Sequence, residues 1–188
     1  MLRIIGGTWR GRRFRFPPSP EIRPTPDRVR ETLFNWLGGR ICAARCLDLF
    51  AGSGALGLEA LSRGASEVCF VERDLAATRE LRARLTEWGA KGARVEHAEA
   101  LQFLRGPSGP FDVVFLDPPF AGGLLRSAAE LLERNHWLAQ EALIYVECAA
   151  REGLPSLSPS WSVVKAKQAG EVGYHLLTRS EDKGGAAE

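Results

Sequence analysis

Apolar runs of strand length alternate with segments of helical character from residue 45 to residue 147, and this alternation constrains the fold more than any other feature. Near-continuous apolar strands are typical of a parallel sheet that helices cover on both faces. The pattern therefore predicts an α/β domain with a mostly parallel sheet. The predicted strands are Cys46–Phe50, Val68–Glu72, Arg94–His97, Val113–Asp117 and Leu143–Glu147, and the predicted helices are Leu56–Arg63, Leu75–Trp88, Glu99–Leu104 and Leu124–Arg134.

Further elements flank this alternation at both ends. Residues 1–20 predict a short hairpin or arm, and Thr25-Pro26 predicts the N-cap and first-turn proline of a helix that stops at Gly38-Gly39. Near the other end, no helix separates two further predicted strands, so they should form an antiparallel hairpin at one edge of the sheet. These strands are Ser162–Ala166 and Tyr174–Thr178, and the expected organisation is an extension over residues 1–40, a main domain over 41–179 and a disordered tail over 180–188.

Composition narrows the class of protein. No segment approaches the ~18 consecutive apolar residues that a membrane helix needs, and arginine at position 3 interrupts the start of the chain too early for a signal peptide. The cysteines show no paired metal-ligand spacing, and Cys69 and Cys148 lie in apolar runs, as buried cysteines do. We therefore expect a cytoplasmic protein with no structural metal and no disulfide.

Positive charge is concentrated in the first 40 residues. The net charge of the whole chain is only +2, but this segment holds nine arginines against three acids and no lysine. Such an asymmetry predicts a nucleic-acid-binding edge, and a solvated basic surface is the alternative. Some of these arginines could instead pair with Asp27 or Glu31 within the helix. The candidate RNA contacts are Arg10, Arg12, Arg23, Arg28 and Arg30.

A glycine-rich turn follows the first predicted strand of the main domain. Glycines at 52 and 54 allow a sharp turn and a close approach to a ligand, and Gly57 allows the next helix to pack near the strand. Acids follow successive strands, at the edge of the sheet where open α/β folds bind ligands. The pattern predicts a nucleotide-like cofactor, bound by Asp48, Phe50, Ala51, Gly52, Ser53, Gly54, Glu72, Arg73, Glu99 and Ala100.

The most specific motif is Asp117-Pro118-Pro119-Phe120, at the end of the fourth predicted strand. Consecutive prolines stiffen the backbone and remove amide donors, so the Asp117 carboxylate and the Pro118 carbonyl can both accept hydrogen bonds from one NH2 group. This positions the nitrogen lone pair for attack without a strong base. Phe120 can stack on a base that has been flipped out of its helix. The alternative is a rigid turn without chemistry.

Two of these motifs resemble known families. The turn beginning at Asp48 resembles the first motif of class I methyltransferases, and Asp117-Pro118-Pro119-Phe120 resembles the motif of adenine-N6 and guanine-N2 amino-methyltransferases. The chain resembles the RsmD family of bacterial guanine-N2 methyltransferases over nearly its whole length, most specifically in Ile4-Ile5-Gly6-Gly7-Thr8-Trp9-Arg10-Gly11-Arg12 and Arg23-Pro24-Thr25-Pro26-Asp27-Arg28-Val29-Arg30-Glu31-Thr32-Leu33-Phe34-Asn35. It departs from the family at Glu99, often aspartate, and at Ala169 and Glu171, where an aromatic residue and an aspartate are usual.

The resemblance implies a seven-stranded, Rossmann-like class I methyltransferase sheet, with S-adenosylmethionine as the methyl donor. It also implies a guanine of small-subunit ribosomal RNA as acceptor, free or within the subunit, and we expect a monomer without metal or membrane. Three alternatives remain at this point. A DNA adenine-N6 methyltransferase would share the site chemistry, a nicotinamide oxidoreductase would share the glycine turn, and a non-enzymatic RNA-binding module would need neither motif.

Overall fold

One seven-stranded sheet forms the centre of the computed structural model, which describes residues 1–16, 25–119 and 123–180. The strand order is β5-β4-β3-β6-β7-β9-β8. The first five of these strands pair in parallel, and β9 pairs antiparallel with both β7 and β8. The predicted mostly parallel sheet is therefore confirmed. Its strands are β3 (Arg45–Asp48), β4 (Glu67–Glu72), β5 (Ala93–His97), β6 (Phe111–Leu116), β7 (Leu138–Ala149), β8 (Trp161–Ala169) and β9 (Val172–Arg179).

Two hydrophobic cores cover the two faces of this sheet. Along β6, Val113 and Phe115 belong to one core, whereas Val114 and Leu116 belong to the other. Because successive strand residues point to opposite faces, an apolar run of this kind requires helices on both sides. The face of Val113 is covered by α1 (Asp27–Leu37), α2 (Ala55–Ser62) and α3 (Leu75–Glu87), and the opposite face by α4 (Ala100–Phe103) and α5 (Leu124–Arg134).

The C-terminal hairpin closes one side of the sheet. Strand β9 lies between β7 and β8, so β8 is the edge strand, as expected for a hairpin that lacks a crossover helix. Strand β7 is longer than predicted and extends seven residues along β9, from the pair Leu143–Thr178 to the pair Ala149–Val172. The antiparallel partner extends the ladder of β7 to Ala149, beyond the predicted end at Glu147, and the start of the strand pairs with β6 at Phe111–Leu138.

The N-terminal residues form a two-stranded hairpin, β1 (Leu2–Arg3) and β2 (Arg13–Phe14). Its backbone is tied to α2, because the buried carboxylate of Glu59 accepts hydrogen bonds from the amides of Ile5 and Gly6 at 2.9 and 2.8 Å. Ile4 and Phe14 are buried in the same core as β6. Residues on both sides of position 40 thus share one core, and the division into an extension and a main domain remains a prediction.

One local prediction is wrong. Thr25 is not the N-cap of α1, since the helix begins at Asp27 after Pro26 and no side chain caps it. The Thr25 hydroxyl instead donates a hydrogen bond to Asp117 Oδ2 at 3.4 Å. The end of the helix is as predicted, because Gly38 follows Leu37 with φ of +52°, a conformation that glycine adopts without strain.

Several expectations concern burial and the ends of the chain. Cys69 and Cys148 are buried as predicted, and all four cysteines are free. None of the helices in the described part of the chain is long and apolar enough to cross a membrane. The tail prediction for 180–188 falls almost wholly outside the described residues, as do Arg23 and Phe120.

Candidate active site

A cavity of about 1660 Å³ lies at the edge of the sheet where the parallel strands end. Of the predicted cofactor and catalytic residues that the structure describes, all except Gly54 line it. Those residues are Asp48, Phe50, Ala51, Gly52, Ser53, Glu72, Arg73, Glu99, Ala100, Asp117, Pro118 and Pro119. Two motifs that lie more than 60 residues apart in the sequence therefore form walls of one cavity.

The glycine turn forms one wall of this cavity. Its two glycines have φ of +52° at Gly52 and +75° at Gly54, in the left-handed region that other residues rarely adopt. Gly57 packs α2 against the sheet, because a Cβ added there would lie 2.2 Å from Phe70 Cε1 on β4. The turn thus brings the backbone to the cavity surface while the helix behind it stays close to the strand, as the sequence predicts.

Glu72, at the end of β4, joins the glycine turn to the next strand. One of its carboxylate oxygens accepts the amide of Gly52 at 2.7 Å, and the other accepts the amide of Asp74 at 2.7 Å. A carboxylate offers about four acceptor positions, so each oxygen keeps capacity for another donor. Glu72 is therefore held rigidly by the backbone and can still bind hydroxyl groups of a ligand.

Asp48 lies at the end of β3, between the glycine turn and the acids beyond β6. Its carboxylate accepts the amide of Gly57 at 3.0 Å. Burial raises the pKa of Asp48 to about 7, the Gly57 amide lowers it and the charge of Glu72 raises it. Asp48 is thus a carboxyl with a pKa near neutral pH in the wall of the cavity.

Glu99 and Arg73 occupy the outer rim. Glu99 directly precedes α4, its side chain is exposed, and its carboxylate lies 3.8 Å from the guanidinium of Arg73. An exposed rim acid of this kind can contact the edge of a planar ligand without being part of the buried wall.

Asp117 is the first residue beyond β6 and forms the opposite wall with Pro118 and Pro119. Burial of the carboxyl raises the pKa of Asp117 well above its usual range, and the charges of Glu147 and Asp48 raise it further. The hydrogen bond from Thr25 lowers it. Asp117 therefore holds its proton to higher pH than an exposed aspartate in a turn does.

Two cavity residues near Asp117, Glu147 and Thr25, were not predicted to belong to the site. Glu147 lies near the end of β7, its carboxylate accepts the Tyr145 hydroxyl at 2.7 Å, and Thr25 completes the group. Burial raises the pKa of Glu147, whereas its contacts with Tyr145 and Thr25 lower it. Glu147 carried the same signal as Asp48 and Glu72, an acid at the carboxyl end of an apolar strand. Thr25 carried none, because its neighbours come from distant parts of the chain.

Comparison with known proteins agrees with this arrangement. The sequence model of the family described as conserved hypothetical protein 95 matches residues 2–178. The protein named ribosomal RNA small subunit methyltransferase D of Escherichia coli (strain K12) is 53% identical over 178 residues, which cover 95% of this chain and 90% of the relative.

The chain belongs to the RsmD family.

Solved structures show the same architecture as this RsmD-family chain. The yhhF protein of Escherichia coli has a TM-score of 0.90 at 51% identity, covering 95% of this chain and 98% of that one. An RNA methyltransferase of Salinibacter ruber, solved with S-adenosyl-L-homocysteine, shares the fold with a TM-score of 0.63 at 14% identity, covering 85% and 95%. The fold is that of the class I S-adenosylmethionine-dependent methyltransferases.

The predicted RNA-contacting arginines of this RsmD-family chain fall into two groups. Arg10, Arg12 and Arg28 are exposed. Arg30 is wholly buried, its guanidinium bonded to Asp27 at 2.5 Å and to the carbonyl of Arg3 at 2.9 Å, and it lies 3.4 Å from Glu59. The prediction that Arg30 contacts RNA is wrong. Its guanidinium is buried and its donors are used by partners inside the protein, so none is left for a phosphate. The alternative interpretation, an ion pair with Asp27, is confirmed.

The described residues of the N-terminal hairpin do not line the cavity. Its turn packs against the C-terminal end of α2, where the amide of Trp9 donates to Ser62 Oγ at 2.9 Å. Helix α2 starts at the glycine turn and runs back toward the other edge of the sheet, so its eight residues separate this contact from the cavity by about 12 Å. None of residues 1–16 lines the cavity, whereas Thr25 and Pro26 do. An RNA that reaches both places must extend along the α2 and α3 side.

Proposed function

We propose that this chain transfers a methyl group from S-adenosylmethionine to the exocyclic N2 amine of a guanine in small-subunit ribosomal RNA. One observation carries the proposal. Asp117, Pro118 and Pro119 share a single cavity with the glycine turn and Glu72. A methyl donor and an acceptor amine must meet within bond-forming distance, and this cavity is large enough for a nucleoside cofactor and a flipped base together.

On the cofactor side, Glu72 has the geometry to accept both ribose hydroxyls, because its oxygens are fixed by the Gly52 and Asp74 amides. Asp48 faces the amino-acid end, where a cationic amino group stabilises its charged form. Glu99 and Ala100 flank the adenine edge. When bound, S-adenosylmethionine supplies an activated methyl group with an excellent leaving group, and the chain's own residues need only hold the partners in line.

On the acceptor side, Asp117 and the Pro118 carbonyl accept hydrogen bonds from the two hydrogens of the amine. That directs the nitrogen lone pair at the methyl carbon. We assign base stacking to Phe120 and RNA backbone contacts to Arg10, Arg12, Arg23 and Arg28. The substrate class rests on the name of the Escherichia coli relative, ribosomal RNA small subunit methyltransferase D, and the choice of guanine N2 rests on the family resemblance.

The test is methyl transfer with a matched set of acceptors. Purified protein and tritium-labelled S-adenosylmethionine are incubated with small-subunit ribosomal RNA, with assembled small subunits from a strain lacking the gene, and with unmethylated DNA. Mass spectrometry of the digested nucleosides should find N2-methylguanosine from a ribosomal substrate. N6-methyladenine from DNA would support the adenine-N6 alternative instead, and binding of NAD without S-adenosylmethionine would refute the cofactor assignment.

A further inference from the structure

Asp117 and Glu147 are neighbours across two parallel strands. Leu116 of β6 pairs in register with Val146 of β7, and the next residues along each strand are the two acids. Neighbouring strands lie about 4.8 Å apart, and residues at equivalent positions share a face. Both acids therefore lie on the face that α1 covers, and Glu147 is 4% exposed. Two carboxyls placed this closely, one buried and one half-buried, repel each other when both are charged.

Helix α1 fixes a hydroxyl beside this pair. Phe34 packs on Phe115 of β6 with ring centroids 6.0 Å apart, and Trp36 stacks on Tyr174 of β9 at 5.4 Å. Two residues before this helix, the Thr25 carbonyl accepts the Nε–H of Arg30 at 3.2 Å. The Thr25 hydroxyl is thereby held 3.4 Å from Asp117 Oδ2, and as a neighbouring donor it lowers the pKa of Glu147.

Within residues 1–16, 25–119 and 123–180, the donors at the pair are hydroxyl groups alone. Asp117 receives a hydrogen bond from Thr25, and Glu147 receives one from Tyr145 and has the Thr25 hydroxyl beside it. One hydroxyl has one hydrogen to donate and lone pairs to accept. It satisfies both acids when it donates to a charged carboxylate and accepts from a protonated one.

The groups around the pair also favour one charged and one protonated acid. Asp48 of β3 adds negative charge toward Asp117, and Tyr174 of β9 pairs in register with Glu147. On α1, the positive charge of Arg30 is already engaged by Asp27 and Glu59. Burial and like charge accordingly raise the pKa of Asp117 well above its usual range, and burial also raises that of Glu147.

We propose that Asp117 and Glu147 hold one shared proton through the Thr25 hydroxyl, and that Glu147 and Thr25 are positioning residues. When the target amine donates to Asp117, the shared proton moves to Glu147, so that Asp117 meets the amine as the charged member of the pair. The reaction part rests on the proposed function. As the amine nitrogen bonds to the methyl carbon, the carbon–sulfur bond breaks and its electrons stay on sulfur. One N–H proton passes from nitrogen to the Asp117 carboxylate. The pair then carries two protons and releases one to solvent in the cavity.

The test is a carboxyl titration that needs no substrate. Carbon-13 NMR of the labelled protein follows Asp117 with pH, assigned by Asp117→Asn, and Asp48→Asn removes the separate titration of Asp48. In the wild type the Asp117 signal should shift in two steps, because interacting acids titrate as a pair. In Glu147→Gln it should shift in one step. A single wild-type step in the ordinary aspartate range, or two steps that persist in Glu147→Gln, would overturn the proposal.

A second pair of variants covers the case in which Glu147→Gln fails to fold. Thr25→Val removes the bridging hydroxyl at nearly constant volume and should move both steps to higher pH, because charged carboxylates lose their donor, whereas Thr25→Ser should restore them. Unchanged steps in Thr25→Val would exclude the bridge. In methyl transfer, Glu147→Gln should move the acid limb of the wild-type pH profile to lower pH, because Asp117 loses the neighbouring charge that raises its pKa. A purely structural role would leave that limb in place. If the wild type methylates no ribosomal RNA, the proposed function fails while the titration still decides the shared proton.

Discussion

Glu72 and Asp117 line the same cavity, but the protein supplies them with different partners. Each oxygen of Glu72 accepts a backbone amide, from Gly52 or Asp74. Asp117 has only the Thr25 hydroxyl among the described residues, and other acids surround it. Backbone amides cannot move or exchange roles, whereas a hydroxyl both donates and accepts. The same carboxyl group is thus held rigidly at Glu72, whereas at Asp117 its hydroxyl partner can change between donor and acceptor.

The largest effect should come from Asp117→Ala, which removes the acceptor side alone. We expect methyl transfer to fall by at least about 100-fold, because both the positioning of the amine and its proton acceptor are lost. Calorimetric affinity for S-adenosylmethionine should stay nearly unchanged. Asp117→Asn is the matched control, since its amide oxygen still accepts a hydrogen bond. Full turnover of Asp117→Ala would mean that the motif is only a turn.

The second largest effect should come from Glu72 substitutions, which should weaken cofactor binding. Glu72→Ala should weaken calorimetric binding of S-adenosylmethionine and S-adenosylhomocysteine by about 1.5–3 kcal/mol, the range for a lost bond to a charged group. Glu72→Gln keeps the length of the side chain and one acceptor oxygen, so its loss should be smaller. Melting curves must accompany both variants, because the Gly52 and Asp74 amides lose their partner. Unaltered affinity in Glu72→Ala would remove Glu72 from the cofactor site.

Asp48 lies between the two sides, and its effect should appear in stability against pH. Its pKa of about 7 in the folded protein exceeds the ordinary value of 3.8. Ionisation therefore destabilises the fold progressively from pH 4 to pH 7. Asp48→Asn lacks this cost, so its free energy of unfolding at pH 8 should exceed that of the wild type by about 2–4 kcal/mol at most. The two proteins should converge near pH 4, and an equal difference at both pH values would contradict the assignment.

The smallest effect should come from Arg28, which lies outside the cavity. Arg28→Ala removes one exposed charge from α1 and should reduce the salt dependence of RNA binding by about one unit of slope. Arg105→Ala, an exposed arginine on the opposite face of the sheet, is the matched control and should leave the slope unchanged. Filter binding from low to moderate salt measures both. Equal slopes for Arg28→Ala and the wild type would place the RNA elsewhere.

Truncation of the hairpin is a poorer test of RNA contact than single substitutions. Ile4 and Phe14 belong to the core that also holds Phe115, and Glu59 loses two backbone donors if residues 1–20 are absent. A truncated protein would lose stability together with any RNA contact. Arg30→Ala has the same defect, because it leaves the buried Glu59 short of a partner; it should lower the melting temperature without altering the salt slope.

Much of the fold was predictable because its signals are local. The apolar runs gave every strand of the sheet, and glycine at 52, 54 and 57 indicated the turn and the close packing on Phe70. Acids after strands indicated the cavity wall, since parallel strands end at one edge. Strand ends were less accurate, and β3 stops at Asp48 rather than Phe50, because the turn takes over the backbone there.

Thr25, Arg30 and Glu147 show what the sequence alone left open. The sequence by itself determined an α/β sheet with a glycine turn and a proline motif at the end of the fourth parallel strand, because strand periodicity and backbone constraints act over a few residues. Only the tertiary structure decided that Thr25 bonds Asp117 rather than capping its helix, and that Arg30 is buried against Glu59. A polar side chain chooses its partner by distance in space. That distance is set only when α1 docks on the sheet and brings together residues that lie up to about 120 positions apart.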